Sequence, residues 1–450
     1  MSRPTDVFVR DVRTFQQRIE YRAPIKFGGR VVTDVVLFDV EIEVETRDGR
    51  RGRGRGSMPM GNVWAWPSRT VETDRTLAAM IDFAARCAEA ARLYRDSGHP
   101  LEITHALADQ HAASTAAVTR ELNLAEPLPR LAQLVAASPT EAALYDAYGR
   151  ALGANSYQLL GQEFVATDLA AYLAPEFAGE YLDQYTLREP KPRMPLYHLV
   201  GALDPLSAAD VTRPIGDGLP ETLAEWIPFN GLTHLKIKLA GDDLEWDVAR
   251  VVAVERVACE AQSRRGCQDW NYSLDFNEKC PNVQYVLDFL ARLQEQSPPA
   301  LARTHYIEQP THRDLRAFPE NRMHAAAKIK PVVIDESLVD FESLQLARQQ
   351  GYSGVALKAC KGHSEALLMG AAAQKYQLFL CVQDLTCVGA SFLHSASLAA
   401  RIPTIAAIEG NGRQYCPAGN QGWEQRFPGM FRITDGTVAT AELTGWGLGF

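Results

Sequence analysis

Six charged residues stand where apolar runs end. Lys236 and Lys238 close THLKIKLAG, Asp275 closes NYSLD two residues before Asn277, and Glu308 closes THYIE. Asp335, with Glu336 beside it, follows KPVVI, and Lys358 follows GVAL. Three carboxylates on consecutive runs are the oxygen donors that a hard divalent cation such as Mg²⁺ requires, with positions left for water or substrate. Mn²⁺ accepts the same donors. Lys236 and Lys238 are two apart, so on a strand both project to one side. A lysine acts as a base when neutral, and as an acid or a fixed charge when protonated.

The elements that must position these residues follow from the spacing. The intervals Lys238–Asp275, Asp275–Glu308, Glu308–Asp335 and Asp335–Lys358 are 37, 33, 27 and 23 residues, and each fits one strand, one helix and their loops. Helical patterns follow the runs at Leu244–Gln262, Asn282–Gln296, Asp314–Ala327, Phe341–Gln350 and Ser364–Tyr376. Alternating strand and helix predicts a parallel sheet. Chemistry at successive strand ends predicts an α/β fold of the (β/α)8 barrel type, whose active site lies on the face where the strands end. Lys358 would then face Lys238 across the substrate.

These residues resemble the enolase superfamily, and within it the muconate-lactonizing-enzyme-like group. The resemblance rests on Lys-x-Lys at Lys236 and Lys238, D-x-N at Asp275–Asn277, E-Q-P at Glu308–Pro310, D-E-S at Asp335–Ser337 and the lone Lys358, in that order. It implies an N-terminal α+β capping domain that the C-terminal tail completes, metal ligation by Asp275, Glu308 and Asp335, lysine acid–base chemistry and homo-oligomers. No His ends the seventh strand, QLFLCVQD, so the His/Asp dyad of the mandelate-racemase group is missing. The expected organisation is a cap over 1–161, an insertion over 162–193, a barrel over 194–410 and a returning tail over 411–450.

The expected reaction removes the proton α to a carboxylate of a small-molecule substrate. A carbon acid this weak needs the metal to stabilise the enediolate. Lys238 is the expected base, with its pKa lowered by Lys236 and the cation. Lys236 serves as positive charge, and Lys358 returns a proton or holds charge on the other face. Asn277 and Glu336 would orient ligands, Glu409, at the end of strand eight, would touch substrate or hold a lysine, and Asp384, at the end of strand seven, is a candidate to support the site or bind substrate. Racemisation, epimerisation and cycloisomerisation all use this set. So does a sugar-acid dehydratase, and a non-catalytic binding or scaffold protein on the same fold is the reading of another class.

The first residues read as strands at 7–21 and 33–47, joined by the glycine-rich RAPIKFGGR, with RGRGRGSM as a third strand. The Arg/Gly alternation there is an RNA-binding tract or, on an acidic protein, a strand of solvated arginines between close-packed glycines. Lys26 and Arg30 are candidates to pair a distal anionic group of the substrate. In MPMGNVWAWPS, Met58, Met60, Trp64 and Trp66 either line a pocket or plug the domain. Helices are expected at Val71–Ser97, Leu101–Ala117 and Thr140–Leu152, the last capped by Ser138 or Thr140 and stopped by Gly153. His198, on the first barrel strand, is a core residue or a mouth candidate. The acidic GDDLEWD is a metal site or a helix N-terminus.

The chain has 450 residues, 46% hydrophobic and 22% charged, with a net charge of −9. Such a charge disfavours nucleic acid and anionic membranes as partners. Eight cysteines lack C-x-x-C spacing. The start carries no signal-like apolar stretch, and no run is long enough to span a bilayer. Together these give the expectation of reduced thiols in a cytoplasmic protein.

Overall fold

A computed structural model describes residues 3–27 and 30–450. Gly28 and Gly29, of the glycine-rich segment RAPIKFGGR, lie outside the described residues. Strands β1 (Val7–Phe27), β2 (Arg30–Thr46) and β3 (Arg51–Pro59) form an antiparallel sheet. Four helices pack with it: α1 (Thr73–Leu93), α2 (Pro100–Ala108), α3 (His111–Glu121) and α4 (Arg130–Leu152). The alternation in β3 is a packing device. A Cβ at Gly52, Gly54 or Gly56 would collide with the α4 backbone, while Arg51, Arg53 and Arg55 face outward to Glu45, Glu43 and Asp39.

Two helices differ from expectation. The 101–117 pattern is interrupted at Asp109–Gln110, giving α2 and α3. Helix α4 begins at Arg130 rather than Thr140, and Pro139 lies inside it. Neither Ser138 nor Thr140 is therefore a cap. Gly153, at φ +64°, does end α4 in the left-handed region, which favours glycine.

Eight parallel strands form the barrel: β4 (Met194–Val200), β5 (His234–Lys238), β6 (Asn271–Asp275), β7 (Thr304–Glu308), β8 (Val332–Ile334), β9 (Gly354–Leu357), β10 (Phe379–Val382) and β11 (Ile408–Glu409). Pairing of β11 with β4 closes it. Helices α5 (Leu223–Asn230), α6 (Leu244–Arg265), α7 (Val283–Gln296), α8 (His324–Ala327), α9 (Phe341–Gln349), α10 (His363–Lys375) and α11 (Ala390–Arg401) lie between strands. The helix expected from Asp314 shrinks to α8, because the Asp314 side chain turns the preceding chain by accepting from Arg316 and Ala317. Tyr197, Tyr306, Val333, Ala356, Cys381 and Ala407 fill the barrel interior. Side chains two residues further along these strands form the next layer toward the mouth.

The tail adds β12 (Thr437–Val438) antiparallel to β4 and then returns to the cap, where Asp146 of α4 accepts from Leu448 N at 3.0 Å. Residues 162–193 run as short 3₁₀ turns over the outer helices. Phe177 packs on Phe341 and Tyr376, and Lys375 pairs with Glu180. No helix among the described residues is long and apolar enough to cross a membrane.

Candidate active site

Strand ends β5 to β9 bring the six residues named first into one buried cluster. Lys236 Nζ lies 2.8 Å from Glu308, 2.9 Å from Glu409 and 3.1 Å from Asp275. Lys238, one pleat nearer the mouth, also pairs with Asp275. Across the barrel, Lys358 Nζ lies 2.8 Å from Asp335 Oδ2. All six are buried.

Burial and charge set the protonation. Burial opposes charge on Lys236, but Glu308, Glu409 and Asp275 outweigh it and hold the ammonium well above its ordinary pKa. Asp335 does the same for Lys358. Burial would lift Asp275, yet Lys238 and Lys236 keep it below the usual carboxylate range. Lys358 and Lys361 likewise overcome burial to hold Asp335 down at about 2. Burial and then the charge of Asp275 push Glu308 up. Burial, followed by the charge of Asp335, pushes Glu336 up to about 7.

The side-chain oxygens of Asp384 accept from the backbone amides of Leu385, Cys387 and Asn411, which shapes the loop after β10, and its backbone carbonyl accepts from Lys358 at 3.4 Å. Glu409 holds Lys236, and Asn411 Nδ2 steadies it at 3.1 Å. Asn277 orients Asp275 through its backbone N–H, 2.8 Å from Oδ1. Glu336 Oε1 accepts from the Trp64 indole at 2.8 Å.

Of the cap candidates, Met60 and Trp64 line a cavity of about 220 Å³ with Tyr21, Leu385 and Thr386. Trp66 turns the other way and donates to Glu126 at 2.7 Å. Arg30 donates to Thr73 and the Ser68 carbonyl inside the cap. Lys26 is exposed on the β1–β2 ribbon. His198 is buried, held by Arg413 at 2.8 Å against Trp226. In GDDLEWD, Asp243 caps α6 and Asp247 accepts from Ala240 and Gly241, which is the helix N-terminus reading.

Four residues of the site, Lys361, Gln309, Arg313 and Glu278, were not among the candidates the spacing argument named. Lys361 Nζ lies 3.1 Å from Asp335 Oδ1. Gln309 Oε1 accepts from Asp335 N and Ser337 N at 2.9 and 3.2 Å. Arg313 is clamped by Glu278 and donates to the Trp64 carbonyl at 3.0 Å. The three-residue step from Lys358 to Lys361 was the legible clue to a fourth lysine.

The donor set fits a divalent cation in chemistry. Asp275, Glu308 and Asp335 are hard oxygen donors whose mutual repulsion is visible in the raised Glu308. Both oxygens of Asp335 are buried and are met by the ammonium groups of Lys358 and Lys361. As the side chains stand, lysine ammonium groups lie among the carboxylates, and no three acidic, imidazole or thiol groups among the described residues enclose an ion. A cation would therefore displace ammonium contacts.

Residues 219–450 match the Enolase C-terminal domain-like family. An aromatic dipeptide epimerase from Herpetosiphon aurantiacus is 28% identical over 258 residues, 57% of this chain and 66% of that protein. The aligned stretch thus spans just under two thirds of that relative's length. A dipeptide epimerase from Enterococcus faecalis, solved with Mg and L-Leu-L-Tyr, superposes with a TM-score of 0.62 at 17% identity, covering 98% of this chain and 99% of that one. A muconate lactonizing enzyme from Pseudomonas fluorescens gives 0.60 at 17% identity, covering 98% and 96%. With the barrel, the antiparallel cap and the family match together, the chain belongs to the Enolase C-terminal domain-like family.

Proposed function

We propose that the protein is an isomerase that removes the α-proton of a small carboxylate and returns one on the opposite face, with dipeptides as the substrate class. The observation that carries this is the opposition of two lysine groups. Lys236 and Lys238 stand at the end of β5 on Asp275, and Lys358 stands after β9 on Asp335. Lys238, nearer the mouth, takes the proton on its face. Lys236, tied to three carboxylates, holds positive charge beside the substrate carboxylate. Lys358 delivers or accepts the proton on the other face, and burial of all three lysines excludes water from the transfer. Asp275, Glu308 and Asp335 would hold Mg²⁺, which when bound supplies charge against the forming enediolate.

The dipeptide class is supported by the named activity of the 28% identical relative. The same residues serve cycloisomerisation, the reaction class suggested by the name of the muconate lactonizing neighbour. The test is incubation with Mg²⁺ in D₂O against pooled dipeptides, amino-acid derivatives, sugar acids and unsaturated diacids, read by mass spectrometry and chiral chromatography. Gain of one deuterium with inversion is the expected result. Loss of water from a sugar acid would replace isomerisation by dehydration. No exchange, together with no Mg²⁺ uptake in calorimetry, would favour a non-catalytic protein on this fold.

A further inference from the structure

We propose that Trp64, supplied by the cap, is a positioning residue for proton transfer on the Lys358 face only. This rests on the two-faced isomerase just described. Trp64 lies in the one-turn helix Asn62–Ala65 and is 6% exposed. Its indole makes two contacts with the barrel at once. The Lys358 ammonium lies 4.2 Å from the ring centroid, and Nε1 donates to Glu336 Oε1 at 2.8 Å. Lys361 Nζ approaches the same ring at 5.8 Å.

A cation over an indole face is attracted by the ring quadrupole, more strongly where water is excluded. Lys358 is 4% exposed. Its long stem needs a wall to fix where the ammonium points, and the ring provides one opposite Asp335. Lys236 and Lys238 lie across the barrel on Asp275. The ring's own position is set by seating of the cap. Arg313, after β7, donates to the carbonyls of Trp64 and Ala65 at 3.0 and 3.4 Å, while Glu278, after β6, holds its guanidinium. Closure of cap on barrel therefore aligns one lysine and leaves the opposite pair to the barrel itself.

Two measurements test this. The first is deuterium uptake at the α-carbon of L-Leu-L-Tyr and L-Leu-D-Tyr by the Mg²⁺-loaded protein, with Lys358→Ala defining which configuration reports the Lys358 face. Trp64→Leu should lower uptake on that face at least tenfold and leave the other within twofold. Trp64→Phe, which keeps a ring and loses the N–H, should fall between. Equal loss on both faces, or loss on neither, overturns the proposal. The second needs no turnover: in ¹⁵N-tryptophan-labelled protein without added metal, the indole signal absent from Trp64→Phe should move in both Lys358→Met and Glu336→Gln. A signal unmoved in both overturns the contact itself. If wild type exchanges neither dipeptide, the substrate class fails and this second measurement alone decides the role of Trp64.

Discussion

Replacing Glu365 by Gln should stabilise the protein at alkaline pH and leave it unchanged at acid pH. Glu365 opens α10 beside the seam between cap and barrel, where Glu141 of α4 accepts from Ser364 N at 3.1 Å and Thr104 meets the Ser364 hydroxyl at 2.7 Å. Its Oε1 is buried without a hydrogen-bond partner. Burial raises its pKa from 4.5 to about 8, with Arg130 only partly opposing. A carboxyl raised on folding binds its proton more tightly in the native state. Its contribution is therefore complete below the unfolded pKa of about 4.3 and is lost as pH climbs to about 8. Each pK unit is worth about 1.4 kcal/mol, so full ionisation would cost at most about 5 kcal/mol. The side chain is part-exposed, and partial access to water should leave about 2 kcal/mol. Urea unfolding of wild type and Glu365→Gln at pH 5 and pH 8.5 measures the difference. A gain of about 2 kcal/mol confined to pH 8.5 is expected. An equal change at both pH values would refute the linkage.

Three further outcomes follow from the packing and the site. Gly54→Ala places a Cβ into the α4 backbone near Ala147 and should cost about 3 kcal/mol in urea unfolding. Mg²⁺ at about 100 times its Kd should stabilise the wild type by about 2.7 kcal/mol, and Asp335→Asn and Glu308→Gln should lose most of that gain in thermal melts. Glu409→Gln leaves Lys236 with one carboxylate fewer and should lower α-proton exchange on the Lys236–Lys238 face by about tenfold, read by mass spectrometry in D₂O.

The barrel was legible because the five runs β5 to β9 are apolar and end at residues that cannot be buried without a partner, so spacing located both the fold and the lysine–carboxylate layer. What was illegible is orientation. Trp64 and Trp66 are two apart in one loop, yet one turns to Glu336 and the other to Glu126. Asp384 and Glu409 both end strands, but backbone amides satisfy the first and Lys236 the second. Thr140 reads as the start of a helix capped there or at Ser138, whereas the helix begins at Arg130 and passes through Pro139. Gln309 and Arg313 act on neighbours that only the closed barrel supplies. Side-chain direction in loops depends on contacts distant in sequence, and no periodicity encodes it.

The most direct test of the two-faced site is α-proton exchange in D₂O from each configuration of one substrate by Lys238→Ala and Lys358→Ala. Each variant should keep exchange from one configuration and lose it from the other, with the two variants opposite. Loss of both configurations in one variant, with both retained in the other, would contradict the account and leave a single acid–base lysine.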